Sequence, residues 1–199
     1  LLCSTAEMFG HPAHSPQNEL TPIEPVSPYG AVKAFAHRMA QVSRSHGQPV
    51  STVILYNHES PRRPDTFVTR KITKAAARIA NGSDEPLHLG NMSARRDWGF
   101  AGDYVRAMRA AVRADEPDDF VIATGISHSI EDFVSQAFAA AGITDWRAHV
   151  AVDEGLLRPQ DPADFVGDAS KAERVLGWRP EVDFAGLVAM MVEHDLALQ

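Results

Sequence analysis

The chain has one cysteine, no long apolar run, and no basic, apolar leader at its start. A single cysteine, Cys3, excludes an internal disulfide, and without a second Cys nearby the sequence offers no thiolate metal frame. Cys3 lies in the apolar stretch Leu1-Leu2-Cys3, where a buried, inert thiol is expected rather than a nucleophile. No apolar run approaches the roughly 18 residues that a membrane span needs, and the first residues lack the basic flank of a signal peptide. A cytoplasmic protein with no membrane partner is therefore expected. Leu1 is no initiator, and Leu1-Leu2-Cys3-Ser4 reads as the tail of a strand, so a longer parent chain is expected. Internal repeats and low-complexity tracts are also lacking.

Positive charge is scarce overall, with a net charge of −7, which argues against nucleic acid as a partner. Its distribution says more. Between Pro61 and Arg96 stand Arg62, Arg63, Arg70, Lys71, Lys74, Arg78, Arg95 and Arg96 against Asp65, Asp84 and Glu85, a net +5 that leaves −12 for the remainder. A local basic zone on an acidic protein suits a small polyphosphate ligand, although a residue such as Arg78 is equally at home on the solvated face of a helix.

With 44% hydrophobic residues over 199 positions, the chain can bury a core of one to two domains. Its organising stretch is Ser27-Pro28-Tyr29-Gly30-Ala31-Val32-Lys33. Ser27 reads as an N-cap and Pro28 as the first helical residue, so Tyr29 and Lys33 fall one turn apart on a shared face. An ammonium beside a phenol, at the positive end of a helix, favours the phenolate and so a general base. Ala31, Ala34, Phe35, Met39 and Val42 form an apolar stripe along this helix, which stops near Gly47.

Residues 1–4 end one strand, and Val50 to Tyr56, rich in β-branched residues, forms the next. Strand, helix, strand makes a parallel sheet the expected architecture. The stretch Gly10 to Val26 reads as a long loop, with His11 and His14 as solvated residues rather than metal ligands. Asn57 to Asp65 is a second loop at a strand's carboxyl end. Thr66 is expected to cap a helix to about Asn81, followed by a short strand at Pro86–Gly90 and a helix from Ala101 to Ala114. Phe120–Thr124 is a strand, Ser129 caps a helix to about Ala141, and Trp146–Val152 is a possible edge strand. Helices from Asp168 to Gly177 and from Phe184 to Ala197 close the chain. Trp98 and Trp178 read as packing residues.

Thr5 precedes Tyr29 by twenty-four positions, at the end of the strand before the Tyr helix. A hydroxyl, a phenol and an ammonium around one carbinol are the equipment for oxidising an alcohol by hydride transfer to a nicotinamide. The pattern resembles the short-chain dehydrogenase/reductase superfamily in its extended, nucleotide-sugar branch. Glu7, the segments Asn57-His58-Glu59-Ser60-Pro61-Arg62-Arg63, Thr66-Phe67-Val68-Thr69-Arg70-Lys71-Ile72, Leu89-Gly90-Asn91 and Arg95-Arg96-Asp97-Trp98-Gly99 narrow the likeness to the GDP-mannose 4,6-dehydratase family. It runs from Ser4 to Asp195 and includes Asp119 to Gly125 and Leu176-Gly177-Trp178.

The resemblance implies an α/β fold: the C-terminal part of a Rossmann-type parallel sheet sandwiched by helices, with a smaller α+β substrate-binding lobe. Residues 1–66 would belong to the NADP-binding domain and 67–199 mainly to the nucleotide-sugar lobe, with some segments returning to the sheet. It implies Thr5, Glu7, Tyr29 and Lys33 as catalytic residues, with His58 and Arg63, beside Tyr29 and Lys33, as NADP contacts. Asn57, Lys71, Leu89, Gly90, Asn91, Arg96 and Arg158 match the region that grips GDP-mannose. No metal is implied, and a homo-oligomer, dimer or tetramer, is. Ala6 stands where the family has a serine, and the Gly-x-x-Gly-x-x-Gly pyrophosphate turn is nowhere in the sequence, so the 199 residues alone are expected to be inactive. Another nucleotide-sugar epimerase, dehydratase or reductase remains an alternative, as does a non-catalytic nucleotide-sugar module.

Overall fold

The computed structural model describes residues 1–156 and 165–199. The chain divides into two compact units, one of residues 1–58, 97–127 and 162–181, the other of 59–96, 128–161 and 182–199. In order, the elements are β1 (Leu2–Thr5), a 3-10 turn (Ala6–Phe9), α1 (Pro28–Ser45), β2 (Thr52–Leu55), β3 (Asn57–Glu59), α2 (Val68–Ala80) and β4 (Leu87–Leu89). Then follow β5 (Arg95–Phe100), α3 (Ala101–Val112), β6 (Asp119–Ile122), β7 (Ser127–Ser129), α4 (Ile130–Ala140), β8 (Val150–Val152), α5 (Ser170–Leu176) and α6 (Phe184–Leu196). The chain passes from one unit to the other within β3, β5 and β7.

The first unit is built on a parallel sheet in the order β1-β2-β6, with Thr5 level with Leu55 and Leu55 with Ile122. Both faces are buried, as parallel strands require. Ile54, Tyr56, Val121 and Ala123 pack on one side with Ala34, Met8 and Phe9; Val53, Leu55, Phe120 and Ile122 pack on the other with Tyr104, Ala107 and Trp178. Trp178 also donates its indole N–H to the Asp103 carbonyl at 2.8 Å, which fixes α3 against the segment after α5.

The α1 stripe is where sequence expectation and structure part. Phe35 is 67% exposed, and Val32, Met39 and Val42 are exposed with it, while the buried positions are Gly30, Ala34, His37 and Ala40. Small side chains let the helix lie close on the sheet, so the larger ones face away. His37 is tolerated there because Gln41 stands 3.0 Å from its Nε2, and because Gln41 (2.8 Å) and Arg44 (2.9 Å) both reach the carboxylate of Asp119 on β6.

In the second unit α2, α4 and α6 pack on one another, and β4 and β8 pair in parallel. Ser129 forms a full capping box with Asp132 at the start of α4. Thr66 does not cap α2: Phe67 is the N-cap residue, and no side chain accepts there. Trp146 to His149 forms a 3-10 turn, so the strand anticipated from Trp146 begins only at Val150. Among the described residues no helix is long and apolar enough to cross a membrane.

Candidate active site

Thr5 ends β1 in an extended conformation, and its Oγ1 accepts the Glu7 amide at 3.3 Å, which turns the chain into the 3-10 helix. That bend leaves Thr5 buried at the carboxyl end of parallel strand β1 and Glu7 exposed just beyond it. Ser27 caps α1 by accepting the Gly30 amide at 3.0 Å, and its hydroxyl also stands 3.5 Å from Glu7 Oε2. Tyr29 follows, 55% exposed. One turn on, Lys33 places Nζ 5.8 Å from the Tyr29 ring centroid and donates to the Cys3 carbonyl on β1 at 2.9 Å. A hydroxyl, a carboxylate, a phenol and an ammonium thus gather where β1 meets the start of α1.

His58, on β3, stands with Nδ1 2.8 Å from the Tyr56 carbonyl and stacks on the Tyr104 ring at 5.0 Å. A carbonyl can only accept, so Nδ1 carries the proton shared between them. Asn57 is half-buried beside it.

The second unit holds the remaining candidates. Arg63 pairs with the buried Glu59 at 3.0 Å, and its guanidinium lies 3.5 Å over the Phe67 ring. Burial pushes the Glu59 carboxyl up, opposed by Arg63 and by the Thr69 hydroxyl, which donates to it at 2.8 Å. Lys71 is exposed on α2 and lines a cleft of about 420 Å³ with Lys74, Arg78 and His88. Lys74 is paired with Asp65 (2.5 Å) and Arg78 with Glu85 (2.7 Å), whereas Lys71 makes no ion pair among the described residues. Leu89 is buried and accepts the Asp153 amide at 2.8 Å. At Gly90 a Cβ would come within 2.6 Å of the Leu156 carbonyl oxygen, so only glycine allows this approach. Asn91 folds its side chain onto Ser93, accepting from its amide at 3.0 Å and its hydroxyl at 2.7 Å. Arg96 donates to the Arg95 carbonyl at 2.6 Å. Arg158 lies outside the described residues.

Two buried polar residues of the first unit were not among the site candidates read from the sequence. Gln17, in the long loop where His11 and His14 are exposed, accepts from the Tyr56 hydroxyl at 2.9 Å and the Val166 amide at 3.2 Å. Burial raises the Tyr56 phenol well above its ordinary range, so it serves here as a neutral donor. Asp97 accepts from the Thr124 amide (2.8 Å) and hydroxyl (2.6 Å) and from the amides of Gly125 (2.9 Å) and Gly167 (3.3 Å). A lone Gln in a polar loop and one Asp among many have no periodicity to betray them.

A parallel α/β sheet with Thr, Tyr and Lys clustered at a strand's carboxyl end defines a Rossmann-type fold of the short-chain dehydrogenase/reductase kind. The fold is shared with RMD from Pseudomonas aeruginosa, solved with NADPH (TM-score 0.88, 19% identity, 99% of this chain and 66% of that one). It is shared too with dTDP-glucose 4,6-dehydratase from Bacillus anthracis, solved with NAD (TM-score 0.85, 20% identity, 96% and 60%). Residues 1–191 match the profile of the GDP-mannose 4,6 dehydratase family, and the chain belongs to that family. It is 47% identical over 195 residues to GDP-mannose 4,6 dehydratase 1 of Arabidopsis thaliana, covering 98% of this chain and 54% of that protein. To the Homo sapiens GDP-mannose 4,6 dehydratase it is 42% identical over 212 residues, 98% of this chain and 57% of that one. The chain spans about half the length of these curated relatives.

Proposed function

We propose that this chain supplies the catalytic cluster and the nucleotide-sugar lobe of an NADP-dependent GDP-mannose 4,6-dehydratase, a hydro-lyase that converts GDP-mannose to GDP-4-keto-6-deoxy-mannose and water. The observation that carries the reading is the gathering of Thr5, Glu7, Tyr29 and Lys33 at the end of β1, in a chain of this family. A nicotinamide bound there would take hydride from carbon 4 and return it to carbon 6. The Tyr29–Lys33 pair at the carboxyl end of a parallel strand fits one side of such a group, with Lys33 toward its ribose and His58 and Arg63 as further contacts.

Tyr29 removes the proton from O4, and Thr5 holds that hydroxyl by a hydrogen bond. The resulting ketone acidifies carbon 5, so the Glu7 carboxylate becomes an adequate base for the carbon 5 proton. As that bond breaks, a carbon 5–carbon 6 double bond forms and the carbon 6 hydroxyl departs as water. Two protons are removed, from O4 and carbon 5, and two are delivered, to the departing hydroxide and back to carbon 5. Asn57, Lys71, Leu89, Gly90, Asn91, Arg96 and Arg158 hold the GDP moiety, with Lys71 as a cation open to the diphosphate. The exposed apolar stripe of α1 supports a homo-oligomeric enzyme.

The test is incubation of the full-length protein with GDP-mannose and NADP, followed by mass analysis of the sugar nucleotide. A product lighter by one water, absent with Glu7→Gln, is expected. A product of unchanged mass would instead make the enzyme an epimerase, and binding without turnover a non-catalytic module.

A further inference from the structure

We propose that Ser27, beyond capping α1, is a positioning residue that holds the Glu7 carboxylate in register with Tyr29. The proposal rests on the dehydratase reading above. A serine hydroxyl has two acceptor lone pairs and one proton. Capping uses a lone pair, because the Gly30 amide donates to Ser27 Oγ at 3.0 Å. The proton remains, and the Glu7 carboxylate lies at 3.5 Å to receive it, a long contact of the sort that tightens when a substrate closes a site.

Glu7 needs such a partner. Its side chain is exposed, and an exposed Glu samples many rotamers, whereas a base for one ring carbon must keep one direction. Its backbone is already held from two sides. Thr5 Oγ1 accepts its amide, and its carbonyl lies against Gly30, where a Cβ would come within 2.6 Å. Gly30 directly follows Tyr29, so the turn that carries the phenol rests on the turn that carries the carboxylate. Carbon 4 and carbon 5 are bonded neighbours, so the groups working at O4 and at carbon 5 must be held to a fraction of an ångström. The seventeen residues from Gly10 to Val26 that join the two turns cannot set that distance; a direct contact across them can.

Three variants of the full-length enzyme separate capping from positioning. Ser27→Gly keeps a favoured N-cap residue without adding charge but has no hydroxyl to offer Glu7, Ser27→Thr keeps both, and Ser27→Ala loses both. Each is read by its melting temperature, by the near-ultraviolet absorbance of reduced nicotinamide, and by loss of water from GDP-mannose. Ser27→Gly is expected to melt within a few degrees of the wild type, to oxidise carbon 4 normally and accumulate reduced nicotinamide, and to eliminate water about tenfold to a hundredfold more slowly. Ser27→Thr restores elimination. Elimination at the wild-type rate in Ser27→Gly, or oxidation and elimination falling together, overturns the positioning role alone. A wild-type enzyme that gives no dehydrated product overturns the dehydratase reading itself, and this proposal with it.

Discussion

Arg70 on α2 and Asp195 on α6 meet at 2.5 Å, and both side chains are withdrawn from solvent. An ion pair in that position is a strong constraint on which surfaces of the two helices face each other. Removing Arg70 leaves the Asp195 charge buried without this partner, and removing Asp195 leaves Arg70 only a 3.9 Å contact with the exposed Asp65, so Arg70→Met or Asp195→Leu is expected to lower unfolding free energy by about 3–5 kcal/mol. The double variant should recover most of the loss, and denaturant midpoints of the three proteins check it. Exposed pairs such as Arg147–Glu131 should contribute less than about 1 kcal/mol.

His37 gives a pH dependence with a definite sign. Burial holds its pKa below the ordinary 6.5, and this outweighs the opposite pull of Asp119. The folded state therefore binds fewer protons than the unfolded one between the lowered pKa and 6.5, so stability falls as pH falls through that window. Asp97 and Glu59 act the other way, because burial raises both carboxyls above 3.8 and 4.5, and the stability they contribute rises as pH falls toward those values. Unfolding midpoints across a pH series should show a shallower acid slope in His37→Gln than in the wild type.

Asp97 should be intolerant of a substitution that preserves its shape. Asn offers one carbonyl oxygen where the carboxylate offers two, so its amide N–H would face the Gly125 and Gly167 amides, donor against donor. Asp97→Asn is expected to destabilise by about 3 kcal/mol, read by thermal or denaturant unfolding.

Tyr29 and Lys71 should divide chemistry from binding. Tyr29→Phe is expected to lower turnover by about two to four orders of magnitude while leaving affinity for GDP-mannose unchanged. Lys71→Ala should weaken that affinity about tenfold or more, as calorimetric titration of the full-length protein would report. The reverse pattern would remove both residues from the roles given to them.

Much of this was legible before any coordinates. Ser27-Pro28 opens a helix where a cap and an N1 proline predict one, Ser129 caps α4 as its place before the helix suggests, and Gly177 ends α5 in the left-handed region at φ 62°. Those signals are local, each confined to a few adjacent residues. The short strands β3, β5 and β7 were not legible, because three to six residues rich in charge and hydroxyls carry no period. The sense of the α1 stripe was also hidden: apolar spacing marks a face, but only packing shows which way it turns.

By itself, then, the amino-acid order determined the β1-α1-β2 unit, the Thr5, Tyr29 and Lys33 arrangement and the family, because strand patterning, capping and motif spacing act over one or two turns of chain. Tertiary structure decided what the buried polar groups do. Asp97 finds Gly167 seventy positions on, Gln17 finds Val166 at a separation of 149, and Arg70 finds Asp195 from another helix. A buried polar atom is stable only with its partner in place, and no short stretch of sequence says where in the chain that partner lies.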